Sequence, residues 1–571
     1  MENKPASFWR DRLPGPVLAA AAGCFFAGFF AHLFAFTNII PNSDGISRVF
    51  DAQQMTVSGR WFLHYASAWN GYVQAPAVIG FFALLFLALA AGLTASLLRI
   101  RSLGLSALCG ALLSVFPSVA YTFLYLFTAS AYCFGILLAV LSVWLVSRYK
   151  YGFLFAAPVL ACAVGTYQAY LAVAASLSLI CVILYALEGH STREIARLGL
   201  KYLAFLALGL GLYALILWIF LRVKDLELLD YKGLSSLGDG MTLGKLLREI
   251  GAAYRGFRRY FFVPRSFANY TTSATVVGNV VLALAALCAF VRVLCRSGCH
   301  KRPGALALTL ALCALLPLAL NLTVLMGEAM PIMRYALVLA YVFALVLVDR
   351  AREPEAPAGQ EKGKAASGKS AAKASQRGAD GKVPSQRGAD GRVPSQRGAD
   401  GRVPSLRAWA TCCAAGLLLI LSFQIDNLAY TVSAQAHRAT ESFATRLVER
   451  IESTPGYKNG MEVVIIGGFP SKIYHSQIEA FSLVEDYSNL SSSVIPLNKH
   501  VYYYLNDWLN VPWQMPDEET MISVSDSGRF QAMPLYPDDG SVAIVDGRLV
   551  VKLASKYTPK KAYEIAYENR K

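Results

Sequence analysis

Apolar residues in this chain arrive in long blocks separated by short polar turns. They show neither the two-residue alternation of a strand nor the narrow stripe of an amphipathic helix. About eleven blocks approach the ~20 residues that a helix needs to cross the hydrocarbon of a bilayer. They predict spans at Gly15–Phe36, Ala77–Leu98, Leu103–Leu124, Ala129–Val146, Phe153–Val164 and Tyr170–Leu187. Further spans are predicted at Leu203–Leu221, Ala274–Val293, Ala305–Leu325, Arg334–Val348 and Trp409–Phe423. The pattern is that of a polytopic α-helical membrane protein.

Composition agrees. Of 571 residues, 55% are hydrophobic and 16% charged, with a mean hydropathy of +0.43. These values exclude a soluble enzyme, a disordered chain and a disulfide scaffold. A net charge of +16 would suggest nucleic acid in a soluble protein; in a membrane protein it reflects basic turns held in the cytoplasm. Arg99 and Arg101, Arg148 and Lys150, Arg193 through Lys201, and Arg292 through Arg302 occupy alternate turns. The positive-inside rule therefore predicts a cytoplasmic N-terminus, and an odd number of spans puts the C-terminal region outside. The first block lacks a small-residue cleavage signal and reads as a retained span. All eleven cysteines fall in predicted spans or at cytoplasmic edges, so the outer portions do not depend on disulfides. Cys295, Cys299 and His300 are too few for a structural zinc site.

The chain divides into a membrane core, 1–350, with outer loops at 37–76 and 222–273. A linker, 351–407, contains SQRGADGKVP followed by two copies of SQRGADGRVP. Its glycine, proline and alternating charges cannot bury a core. After the last span, 408–423, the region 424–571 reads as a small extracytoplasmic α/β domain. It begins with a helix that leaves the membrane near Asp426 and runs to Ser453. A strand is predicted at Glu462–Ile466, and a hairpin at Ser541–Leu553 around Asp546-Gly547. Gly467-Gly468 does not match a dinucleotide fingerprint.

Candidate chemistry concentrates in the first outer loop, NSDGISRVFDAQQMTVSGRW from Asn42 to Trp61. Ser43 suits a helix N-cap, and Ile46, Val49 and Phe50 are spaced for one face of a short interfacial helix. Asp44 opens that helix, with Arg48 and Asp51 following at helical spacing; Arg60 and Trp61 return toward the membrane. A carboxylate at the membrane boundary can take a proton from a hydroxyl acceptor. Arginine holds phosphate through charge-assisted bonds, and tryptophan offers an apolar face to a sugar. An ordinary connector with an Asp44–Arg48 pair and aromatic belt residues accounts for the same composition.

This loop after a first span, with GTYQAY at Gly165–Tyr170 and an outer segment after the last span, resembles the bacterial type II O-antigen glucosyltransferase (Gtr) family. That family is similar to the GT-C class of polytopic glycosyltransferases. The resemblance implies a bacterial cytoplasmic-membrane enzyme that takes a hexose from a polyprenyl-phosphate-linked donor. The acceptor would be a hydroxyl of a surface polysaccharide or its lipid-linked precursor. It makes Asp44 the leading catalytic base and Asp51 the second. Arg48 belongs to the same loop; Arg60 and Trp61 match the GRW return, and Tyr167 and Gln168 the YQ pair. A divalent metal bridging Asp44 and Asp51 to the phosphate is a second arrangement compatible with it.

The second outer loop interleaves Arg255, Arg258, Arg259 and Arg265 with Tyr254, Phe257, Tyr260, Phe261 and Phe262. Such a mixture suits a donor phosphate and membrane lipids at the interface; nucleic acid is not expected on this side. An amphipathic interfacial helix without substrate contact has the same composition. Arg334 is another phosphate candidate, with a structural Glu328–Arg334 pair as the alternative. His32 reads as a helix–helix contact or interfacial residue. Competing functions are a transporter or flippase of lipid-linked sugars, a polysaccharide ligase or protein glycosyltransferase, and a non-catalytic glycan sensor. A transporter would place polar groups in mid-span, where this chain has almost no charge.

Overall fold

The computed structural model describes residues 14–40, 44–45, 50–228, 242–264, 272–326, 329–352, 406–470, 495 and 498–558. In chain order the helices of the membrane region and its loops are α1 (Gly15–Thr37), α2 (Pro76–Leu98), α3 (Leu103–Val115), α4 (Pro117–Leu124), α5 (Leu126–Arg148), α6 (Gly152–Thr166) and α7 (Tyr170–Leu187). They continue with α8 (Thr192–Val223), α9 (Leu243–Phe262), α10 (Ser273–Arg296), α11 (Pro303–Leu320), α12 (Val338–Ala351) and α13 (Leu406–Glu452). Among the described residues ten helices are long and apolar enough to cross a membrane, counting α3 with α4 as one and α12 together with the 3-10 segment Pro331–Leu337 before it, and leaving out α6 and α9. The protein is a multi-pass helical membrane protein.

The packing of α1 on α3 uses small residues, because helices in lipid associate by close backbone approach. A Cβ on Gly110 would fall onto the Ala20 carbonyl oxygen, and one on Gly23 onto the Ala107 backbone. Gly110→Val is therefore expected to cost about 1–3 kcal/mol or more by overpacking, read as a lower thermal midpoint in detergent.

The predicted span Leu103–Leu124 is broken at Phe116, whose backbone is extended. Pro117 has no N–H to give the Leu113 carbonyl, and in lipid that carbonyl needs a partner from the protein. The Tyr335 hydroxyl donates to it at 3.0 Å. His32 Nε2 lies 2.8 Å from the next carbonyl, Ser114. A carbonyl only accepts, so Nε2 carries the proton; in the neutral ring Nδ1 then accepts from the Tyr430 hydroxyl at 2.8 Å. His32 is thus a buried helix–helix contact.

The helix α6 is short. Its 15 residues rise roughly 22 Å, less than the ~30 Å of a bilayer core. Its C-terminal end therefore stops short of the longer α5 and α8 packed beside it and leaves a recess between them.

Other expectations change. The last span and the helix predicted beyond it are one element, the 47-residue α13. Nothing between Leu417 and Thr454 interrupts a helix; Pro455 and Gly456 follow its end. Asp426 does not mark an exit into solvent: it is fully buried, and neither carboxylate oxygen has a hydrogen-bond partner among the described residues. The far end of α13 buries Ala444, Leu447 and Ile451 against β1 (Val463–Ile466), β3 (Arg548–Lys552) and α14 (Asn498–Leu509). The sheet order is β1-β3-β2, with β2 at Val542–Val545. β1 pairs with β3 in parallel and β2 with β3 antiparallel. Asp546 and Gly547 both have positive φ, 53° and 81°, as a two-residue hairpin turn requires.

Candidate functional site

The first loop lies at the end of α2 remote from Arg99. Ser43, Ile46, Arg48 and Val49 lie outside the described residues. Asp44 and Gly45 form a turn. Phe50, expected on a helix face, instead bridges Val73 in extended conformation. The Asp51 N–H donates to the Tyr72 carbonyl at 2.9 Å. The Asp51 Oδ1 accepts the Gln53 N–H at 2.8 Å, so it stabilises a local turn. A helix is unfavourable here because these backbone groups pair across the loop. Met55 bridges Arg60 around Thr56–Ser58, and Gly59 supplies the left-handed residue (φ 79°) that closes the turn.

This turn fills the recess above α6. The Phe62 N–H donates to the Gly165 carbonyl at 2.9 Å, satisfying one of the last carbonyls of α6. Gln168 Nε2 donates to the Ser58 carbonyl at 2.8 Å. The Tyr213 hydroxyl, on α8, donates to the Gly59 carbonyl at 3.1 Å. Trp61 stacks on Phe220 with ring centroids 5.8 Å apart and is buried. A Cβ on Gly165 would stand 2.6 Å from the indole, so only glycine permits this approach.

Arg60 is thereby aimed along the recess wall. Its Nη1 donates to the Tyr132 hydroxyl at 3.2 Å. Its guanidinium carbon lies 4.9 Å from the centre of the Tyr167 ring, and Tyr132 and Tyr167 stack 4.7 Å apart at 13°. The cation is held by a ring face and a hydroxyl, a geometry that suits guanidinium and not ammonium. Close by, the Tyr125 phenol is pushed well above its ordinary range, first by burial, then by the Tyr121 phenol and the Asp44 carboxylate. The Asp44 carboxylate therefore lies within electrostatic reach of Tyr125, just after the break at Pro117.

Arg258 and Arg259 occupy α9, and Arg265 lies outside the described residues. The apolar side of α9 is anchored: Asn279 Nδ2 donates to the Phe261 carbonyl at 2.8 Å and Asn321 Nδ2 to the Ala253 carbonyl at 3.0 Å. The Tyr254 hydroxyl donates to the Ala314 carbonyl at 2.7 Å. Arg258 and Arg259 point to the exposed side. Tyr260 meets Phe116 at 5.8 Å, which connects α9 to the break before α4. Arg334 lies in a 3-10 segment, Pro331–Leu337, and its Nε and Nη2 donate to the Ala329 carbonyl at 3.2 and 2.9 Å. Glu328, its expected pair, lies outside the described residues. The segment packs on α4, where Ser118 Oγ donates to the Ile332 carbonyl at 3.4 Å.

The structure brings Arg60, Trp61, Tyr167 and Gln168 into one assembly, and Asp44 lies within electrostatic reach of Tyr125. Arg258 and Arg259 stand on a neighbouring helix, and Asp51 serves its own turn. Tyr132, Tyr213, Tyr121 and Tyr125 were missed; their signal is a hydroxyl-bearing ring within or beside an apolar block. Among the described residues no group of three or more His, Cys, Asp or Glu gathers.

The family model described as Glucosyl transferase GtrII matches residues 33–348, more than half of the 571. The chain belongs to the GtrII glucosyl transferase family. Neither a curated protein nor a solved structure matches it. The matched region starts near the C-terminal end of α1, contains the loop, the recess and α9, and stops inside α12. This GtrII member is thus a membrane glycosyltransferase, and the assembly around Arg60 lies within the family's own boundaries.

Proposed function

We propose that this protein transfers a hexose, glucose first among them, from a polyprenyl-phosphate-linked donor to a glycan hydroxyl. The acceptor is a surface polysaccharide or its lipid-linked precursor, and the reaction takes place at the outer face of the bacterial cytoplasmic membrane. The positive-inside rule supports that face: with the basic turns in the cytoplasm, the recess, α9 and the C-terminal α/β unit are all outside. The observation that carries the reading is the Arg60 guanidinium, fixed against Tyr132 and Tyr167 beside the turn that closes over α6.

A lipid-linked donor enters from the bilayer with its phosphate at the guanidinium groups. Asp44 accepts the acceptor's hydroxyl proton as its oxygen bonds to C1 and the C1–phosphate bond breaks. The electron pair leaves with the phosphate, and Arg60 stabilises the charge that develops there. Arg258, Arg259 and Arg334 are further candidates for donor phosphate contact.

The direct test is purified protein in liposomes with polyprenyl-phosphate glucose and isolated glycan. Sugar transfer, or slow donor hydrolysis without acceptor, supports the reading; donor binding without either would favour a transporter or sensor. If Arg258 and Arg259 seat the donor, replacing both with glutamine should raise the donor KM roughly tenfold and change kcat little. An unchanged KM would remove them from donor binding.

A further inference from the structure

The membrane end opposite the recess contains a cleft of about 370 Å³ that the proposed reaction does not use. Arg99, Arg101, Arg296 and Arg350 line it, with Glu188 and Asp349. These residues come from the ends of α2, α7, α10 and α12, so four separate helices converge on one opening.

Both carboxylates are already engaged. Glu188 Oε1 accepts Arg350 Nη1 at 2.8 Å. The buried Asp349 accepts the N–H groups of Arg101 at 2.8 Å and Ser102 at 3.2 Å. Arg296 Nη2 donates to the Arg350 carbonyl at 3.2 Å, tying α10 to α12. Among the described residues, four guanidinium groups and two carboxylates line the cleft. A general excess of arginine on this face explains basic residues there, but not their convergence: Arg148, Arg193 and Arg292 share the face and do not line the cleft. Leu187 and Val293 supply a buried apolar floor. The cleft lies where apolar spans end, the level at which headgroup phosphates reside.

We propose that this cleft binds a phosphate group, from an anionic lipid headgroup or from a soluble phosphate. Guanidinium groups recognise phosphate through paired charge-assisted hydrogen bonds, and the frame that carries them is set by backbone contacts before any ligand arrives. The site is independent of sugar transfer and stands or falls separately from it.

The test uses full-length protein in nanodiscs, with the thermal midpoint as readout. One series raises the phosphatidylglycerol fraction in phosphatidylcholine; the other adds inorganic phosphate to pure phosphatidylcholine discs. The wild type should be stabilised in one series, which identifies the source. Arg99→Gln with Arg101→Gln should weaken the response about tenfold or more in apparent affinity, while Arg148→Gln leaves it intact. If the double variant does not fold, Arg99→Gln alone, at an exposed position, replaces it. No response in either series, or an equal loss in Arg148→Gln, overturns the proposal.

Discussion

Asp44→Asn is expected to lower sugar transfer by about 10²- to 10⁴-fold, the contribution of a positioned general base, with normal protein levels and thermal midpoint. The substitution is nearly isosteric and removes only the capacity to take a proton. Asp44 occupies a turn of the first loop, and its charge is felt by the Tyr125 phenol. Asp51→Asn is the matched control. An amide oxygen still accepts the Gln53 N–H that Asp51 holds at 2.8 Å, so activity should fall by less than about tenfold. Equal losses in both variants, or full activity in Asp44→Asn, would remove Asp44 from the proton-accepting role.

The second large effect is expected at Arg60. Arg60→Ala should reduce kcat by about 10²- to 10³-fold, as loss of a preorganised donor to a developing anion does elsewhere. Arg60→Lys tests the geometry: ammonium keeps the charge but cannot both lie on the Tyr167 ring and reach the Tyr132 hydroxyl as guanidinium does. It should recover part of the loss and remain roughly tenfold below wild type. A purely structural role predicts lower midpoints for both variants with kcat per folded molecule unchanged. Single-turnover measurements with a lipid-linked donor separate these outcomes.

Much of the architecture was legible because the solvent is a bilayer. A helix in lipid must satisfy its own backbone and present apolar side chains outward, so block length alone locates most spans. GRW and YQ were legible as motifs but not as neighbours. Their contact depends on α6 being shorter than its neighbours and on Gly165 having no side chain where Trp61 arrives. The first-loop helix was misread at Phe50 and Asp51 because apolar spacing is also met by an extended segment whose backbone pairs elsewhere, here with Val73 and Tyr72. His32 and Asp426 look alike in sequence, each a lone ionisable group near the end of a span. The first is satisfied by Ser114 and Tyr430, while the second is buried without a hydrogen-bond partner among the described residues.

The sequence by itself determined the membrane class, the approximate position of most spans, the basic turns at alternate connections and the family. Those properties follow from transfer of local segments into hydrocarbon, which each segment decides for itself. Only the tertiary structure decided which arginines serve which place. Arg60 is drawn into a recess made by a short helix, Arg258 and Arg259 are displayed on an anchored amphipathic one, and Arg99, Arg101, Arg296 and Arg350 converge at the opposite end. Such placements depend on where breaks and glycines let helices meet, which hydropathy along a single segment does not encode.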